Sequence, residues 1–144
     1  MLESIPAELR DCRLDHIAIA VENLEKSMEM YSHLGLSFDE EIEEIAEQKV
    51  RVAFARVDFF GKIELLASTD PQGPIAQFIS KKGPGLHHLC LRVSDLQKRQ
   101  AELVAQGFRF LYPEAKLGAH QCLINFLHPQ SCGGVLIELS EKRN

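Results

Sequence analysis

Apolar and polar residues alternate from Arg13 to Val21 and again from Leu86 to Val93, the two-residue period of a β-strand with one covered face. Each strand pattern ends at a short polar residue, Asn23 or Asp95. Beyond it, apolar positions recur at three and four residues, which predicts helices over Leu24–Leu34 and Leu96–Gln106. Asn23 and Asp95 are natural N-caps, and Gly35 and Gly107 natural stops. β-rich runs follow each helix: Leu36–Ala46, Val50–Phe59 and Lys62–Ser68 in the first half, Phe108–Tyr112, Gln121–Leu127 and Val135–Ser140 in the second. Phe60-Gly61 reads as a tight connection. Between the halves, Asp70, Pro71, Gly73 and Pro74 precede a short helix over Ile75–Lys82, and Gly83-Pro84-Gly85 follows it, a linker in composition.

The halves repeat one pattern. His16-Ile-Ala-Ile-Ala-Val-Glu-Asn-Leu aligns with His88-Leu-Cys-Leu-Arg-Val-Ser-Asp-Leu at an offset of 72 (88 − 16), and the same offset carries Gly35 onto Gly107. The predicted fold is therefore α+β, two tandem βαβββ modules forming a curved mixed sheet around a cavity. The expected organisation is a single domain over 1–144, with module 1 at about 13–68, a linker at 69–84 and module 2 at about 85–142.

Side chains in a strand alternate faces, so Ile17, Ile19 and Val21 should lie under the first helix while His16, Ala18 and Ala20 line the other face. Leu89, Leu91 and Val93 separate in the same way from His88, Cys90 and Arg92. The last strand of each half adds an acid to the histidine face: Glu64 between Ile63 and Leu65, Glu138 between Ile137 and Leu139. The His-to-Glu separations are 48 (64 − 16) and 50 (138 − 88). Two imidazoles and two carboxylates related by a repeat and aimed at one concave face are a mixed N/O ligand set for a divalent metal, which makes the cavity a metal-binding one. One ion per chain is expected, and Co, Zn, Ni and Mn all suit such ligands. His87 has the wrong parity for this set, and His33, His120 and His128 read as solvated or structural residues. Five acids between Glu40 and Glu47 read as a solvated edge.

Composition narrows the remaining classes. With 45% apolar and 26% charged residues in 144, the chain has the make-up of a globular domain large enough to bury a core. Its 21 acids against 16 bases, a net charge of −5, and the lack of any basic run make nucleic acid an unsuitable partner. No apolar run approaches the length that crosses a bilayer, so no membrane partner is expected. The start MLESIPAELRD lacks the charged and apolar regions of a secretory signal, and Cys12, Cys90, Cys122 and Cys132 show no C-x-x-C spacing; both favour a reducing, cytoplasmic location.

The duplicated module with His on its first strand and Glu on its last resembles the vicinal oxygen chelate superfamily of glyoxalases, extradiol dioxygenases and fosfomycin or bleomycin resistance proteins. Within it, Lys62-Ile-Glu-Leu-Leu with Gly73-Pro-Ile-Ala-Gln-Phe-Ile, Gly85-Leu-His-His-Leu, and Lys116-Leu-Gly-Ala-His-Gln through Phe126-Leu-His-Pro to Gly133-Gly-Val-Leu-Ile-Glu-Leu are similar to the methylmalonyl-CoA epimerase family. The resemblance implies an isomerase that interconverts the (R) and (S) epimers of methylmalonyl-CoA by proton abstraction at C2 through an enolate. It implies His16, Glu64, His88 and Glu138 as metal ligands, Glu138 also as the proton-transferring residue, and Lys116 beside the coenzyme A tail. A second acid that some members carry falls on Val52 in an ungapped alignment, leaving Glu47 as a nearby carboxylate. A homodimer acting on a small acyl-CoA substrate is the implied assembly. A glyoxalase I-type metal-dependent enzyme and a non-catalytic binding protein are the alternative readings.

Overall fold

The computed structural model describes residue 6, residues 11–59 and residues 61–143. Phe60, and so the Phe60-Gly61 connection, lies outside these residues, as does most of the N-terminal segment used above to judge location. The described chain forms two compact units, residues 16–87 and residues 88–143 joined by 11–15.

The elements of the first unit are β1 (Arg13–Ala20, which begins in the other unit), α1 (Leu24–His33), β2 (Ser37–Phe38), β3 (Glu43–Ile45), β4 (Val50–Arg56), β5 (Lys62–Ser68) and α2 (Pro74–Lys82). Its strand order is β2-β4-β5-β1, with β3 also on β4; β1 and β5 run parallel and the other pairs antiparallel. In the second unit, β6 (Gly85–Arg92, entering from the first), α3 (Leu96–Ala105), β7 (Lys116–Leu117), β8 (Leu123–Leu127) and β9 (Ile137–Glu141) give the order β6-β9-β8-β7. There β6 and β9 are parallel, and β8 is antiparallel to both its neighbours. Each unit is thus a mixed sheet whose first strand pairs in parallel with its last.

The helices start and stop as their sequences dictate. Asn23 accepts from the amide of Lys26 at 2.9 Å and Asp95 from that of Lys98 at 3.0 Å, so each cap satisfies one orphan amide of the first turn. Gly35 and Gly107 take φ of 106° and 97°, a backbone region costly for any side chain, and the amides after them return to Tyr31 and Leu103 carbonyls. Leu24 and Leu96, the first helical residues, are fully buried, each contributing about 1.5–3 kcal/mol of apolar burial. Leu24 packs with Val21, Ala53, Leu65 and Ala67; Leu96 packs with Val93, Leu127 and Leu139. The aliphatic faces of the first and last strands therefore lie under the helices, as alternation requires.

Several predicted strands are shorter or broken; Val50–Phe59 ends at Arg56 and Val135–Ser140 begins at Ile137. Leu36–Ala46 is divided: from Phe38 opposite Ala55 to Glu43 opposite Val52, this strand advances five residues (43 − 38) and β4 only three (55 − 52). The two extra residues bulge out, with Glu40 and Glu41 exposed to water. Phe108–Tyr112 makes a single bridge, Phe110 to Leu127, because the Tyr112 amide donates to the Asn125 side chain instead of to a strand. Gln121–Leu127 begins at Leu123, since His120 and Gln121 adopt φ of 54° and 57° in a tight turn.

Candidate active site

The first strand of each unit carries its histidine next to the glutamate of the strand paired with it. In the first unit, β1 and β5 run parallel with Ala18 opposite Glu64, and Nε2 of His16 lies 2.9 Å from Oε2 of Glu64. In the second, β6 and β9 place Cys90 opposite Glu138, and Nε2 of His88 lies 3.2 Å from Oε1 of Glu138. All four side chains are buried, at 10% exposure or less. A buried carboxylate is costly unless a cation or strong donors face it, and each of these two acids faces an imidazole nitrogen. Imidazole nitrogen and carboxylate oxygen are the donors a divalent transition metal prefers, and in this respect the residues fit one.

An aromatic ring fixes each imidazole. Phe54 meets His16 edge to face, with centroids 5.7 Å apart, and Phe126 meets His88 at 5.3 Å. In register, Phe54 lies opposite Glu64 and Phe126 opposite Glu138. Sequence reasoning missed both rings, although their separation is again 72 (126 − 54) and the repeat offset would have found them.

The remaining candidates are placed as follows. Lys116 is exposed on β7, its Nζ 4.3 Å from the centre of the Tyr112 ring. Glu47 is exposed in the 3₁₀ turn Ala46–Gln48, which ends at Lys49 in a left-handed conformation. Val52 is buried on β4, opposite Leu66. His87 stacks edge to face on Phe78 at 4.8 Å, consistent with its parity away from Glu138. His128 caps a turn, its Nδ1 accepting from the Gln130 amide, while His33 and His120 are exposed. A groove of about 400 Å³ in the first unit, lined by Ile19, Val21, Lys26, Met30 and Tyr31 among others, includes neither His16 nor Glu64.

The paired parallel strands with His on one and Glu on the other define a class. The profile of the Glyoxalase/Bleomycin resistance protein/Dioxygenase superfamily matches residues 15–126. The mitochondrial methylmalonyl-CoA epimerase of Dictyostelium discoideum is 40% identical over 133 residues, 90% of this chain and 78% of that protein. The crystal structure of methylmalonyl-CoA epimerase from Mycobacterium tuberculosis superposes with a TM-score of 0.90 at 38% identity, covering 100% of this chain and 97% of that one. A substituted Streptomyces coelicolor methylmalonyl-CoA epimerase in complex with 2-nitronate-propionyl-CoA superposes at 0.87 with 31% identity, over 92% of this chain and 98% of that one. The chain belongs to the methylmalonyl-CoA epimerase family of that superfamily, and its fold is the α+β fold of those enzymes.

Proposed function

We propose that the chain interconverts the (R) and (S) epimers of methylmalonyl-CoA, and the observation that carries this reading is the duplicated buried His–Glu pair in a member of that family. Epimerisation removes the proton from C2, between a thioester and a carboxylate, and returns one to the opposite face of a planar enolate. The nitronate bound by the Streptomyces relative is also a planar anion, which supports an enolate path. His16, Glu64, His88 and Glu138 would together hold one divalent ion, Co, Zn, Ni or Mn. Such an ion, when bound, supplies Lewis-acid stabilisation of negative charge developing on substrate oxygen.

Glu138 is the group we assign to proton transfer on one face, a role worth roughly 10²–10⁴ in rate. Glu47 is the first residue to test on the other. Lys116, a cation on an exposed strand, is assigned to the coenzyme A portion. With the function we propose one domain over the whole chain, a homodimer and a cytoplasmic location. None of the four cysteines is in a disulfide, which fits a reducing compartment, and no described helix is long and apolar enough to cross a membrane.

The test is solvent exchange at C2. In D₂O the wild type should introduce deuterium at C2 and interconvert the epimers. Glu138→Gln keeps the size and one coordinating oxygen but accepts no proton at neutral pH, so it should retain bound metal and lose interconversion while still exchanging one epimer. Turnover of methylglyoxal with glutathione and none of methylmalonyl-CoA would overturn the proposal in favour of a glyoxalase.

A further inference from the structure

We infer that Tyr112 is a positioning residue that presets Lys116 for an anionic group of the substrate, an inference that rests on the acyl-CoA reading above. Asn125 on β8 is completely buried, and its carboxamide is spent on the segment around Tyr112. Nδ2 donates to the Tyr112 carbonyl at 3.0 Å and to Oε1 of Gln100 at 2.9 Å, while Oδ1 accepts from the amides of Tyr112 at 3.3 Å and Phe126 at 2.8 Å. Gln100 in turn donates to the Pro113 carbonyl at 3.1 Å. A satisfied buried network of this kind fixes one conformation, here for backbone that leaves β8 just after the Leu111 amide donates to the Phe126 carbonyl at 2.8 Å.

The fixed backbone aims a ring in two directions. Tyr112 stands edge to face on Phe126, with centroids 6.3 Å apart, and Phe126 is the ring against His88. The ammonium of Lys116 sits over the Tyr112 ring. Imidazole, Phe126, Tyr112 and lysine thus form one packed series within the second unit. A lysine has a flexible four-carbon stem, and holding its charge over a fixed ring reduces the ordering that anion binding must otherwise impose. The shared ligand chemistry is an anionic oxygen, supplied either by the phosphates of coenzyme A or by the acyl carboxylate.

Steady-state kinetics with two substrates test this. Methylmalonyl-CoA carries both kinds of anion, and methylmalonyl-pantetheine keeps only the carboxylate. Tyr112→Ala should raise KM for methylmalonyl-CoA by roughly two- to fivefold, with kcat and metal content near wild type, and Tyr112→Phe, which keeps the ring, should match wild type. A KM effect confined to the CoA thioester assigns the anion to phosphate; an equal effect on both assigns it to the carboxylate. The salt dependence of KM should become shallower in Tyr112→Ala and in Lys116→Ala alike, which loss of folding would not produce. Tyr112→Leu, which keeps apolar bulk, serves if the alanine variant does not fold. An unchanged KM in the alanine or leucine variant, or equal damage from phenylalanine and alanine, overturns the inference. Calorimetric binding of free CoA keeps the two proposals separate: a wild type that binds CoA without epimerising defeats the functional reading, and Tyr112→Ala that binds CoA as wild type does, with the CoA thioester KM also unchanged, defeats this one.

Discussion

The two units solve one problem with different amounts of support. Each holds a buried histidine against a glutamate and a phenylalanine, with a corresponding strand order and a helix cap at the equivalent position. In the first unit a lysine lies directly over the phenylalanine, Lys62 at 5.3 Å from the Phe54 ring. In the second, Tyr112 stands between Phe126 and Lys116, and the buried Asn125 network stands behind Tyr112. The second unit also ties the first turn of α3 to β9, where Glu141 accepts from the Leu96 amide at 2.8 Å. The difference teaches that duplication preserves the residues next to the imidazole, while the elements further out have diverged into separate means of presenting a cation.

The largest effect should come from breaking the shared part. His16→Ala and His88→Ala should each remove the bound metal measured by elemental analysis and lower epimerisation by at least about a hundredfold, beyond the 10–100-fold typical of a residue that only supports a ligand. His87→Ala should keep metal near the wild-type level, because that ring packs on Phe78. If one unit's histidine proved dispensable, the repeat would be structural in that half alone.

A second effect belongs to one unit only. Nη2 of Arg92 donates to Asp15 at 2.9 Å, both side chains being nearly buried, and Nε of Arg92 has no hydrogen-bond partner among the described residues. The repeat offset carries Arg92 onto Ala20, so the pair has no counterpart in the first unit (92 − 72). Asp15→Ala strands a buried guanidinium and should cost about 3–5 kcal/mol in urea unfolding. Replacing both residues, Asp15→Ala with Arg92→Leu, should recover most of that loss, since an apolar pair leaves no buried charge. A double variant no more stable than Asp15→Ala would show that Arg92 is held by something other than this carboxylate.

What the sequence makes legible follows from the same contrast. Helix caps, glycine stops and the facing of His16, Glu64, His88 and Glu138 are properties of short segments, and the offset of 72 doubles every signal. The Phe54 and Phe126 contacts lie within reach of that offset. Asp15–Arg92 and Asn125–Tyr112 do not: each joins residues distant in sequence, and Asn125 in a strand pattern reads as an outward polar residue, not a fully buried one. The bulge at Asp39–Ile42 is hidden for a related reason. Phe38 and Ile42 keep the alternation, both packing on the first core, while the chain between them leaves the ladder.

The smallest expected difference separates the two caps, and it is one of charge. Asn23 and Asp95 occupy equivalent positions and accept from equivalent amides at 2.9 Å and 3.0 Å, so alanine at either should cost about 1 kcal/mol. Only Asp95 adds a negative charge at the positive end of its helix, an interaction worth about 0.3–1 kcal/mol at low ionic strength. Asp95→Asn should therefore lose a few tenths of a kcal/mol in dilute buffer and nothing in about 1 M salt, where screening acts over roughly 3 Å. Asn23→Asp should gain a similar amount with the same salt dependence. Thermal unfolding of both exchanges at two salt concentrations measures the difference. Equal responses to salt in the wild-type and exchanged caps would mean that the hydrogen bond alone, identical in the two units, accounts for both.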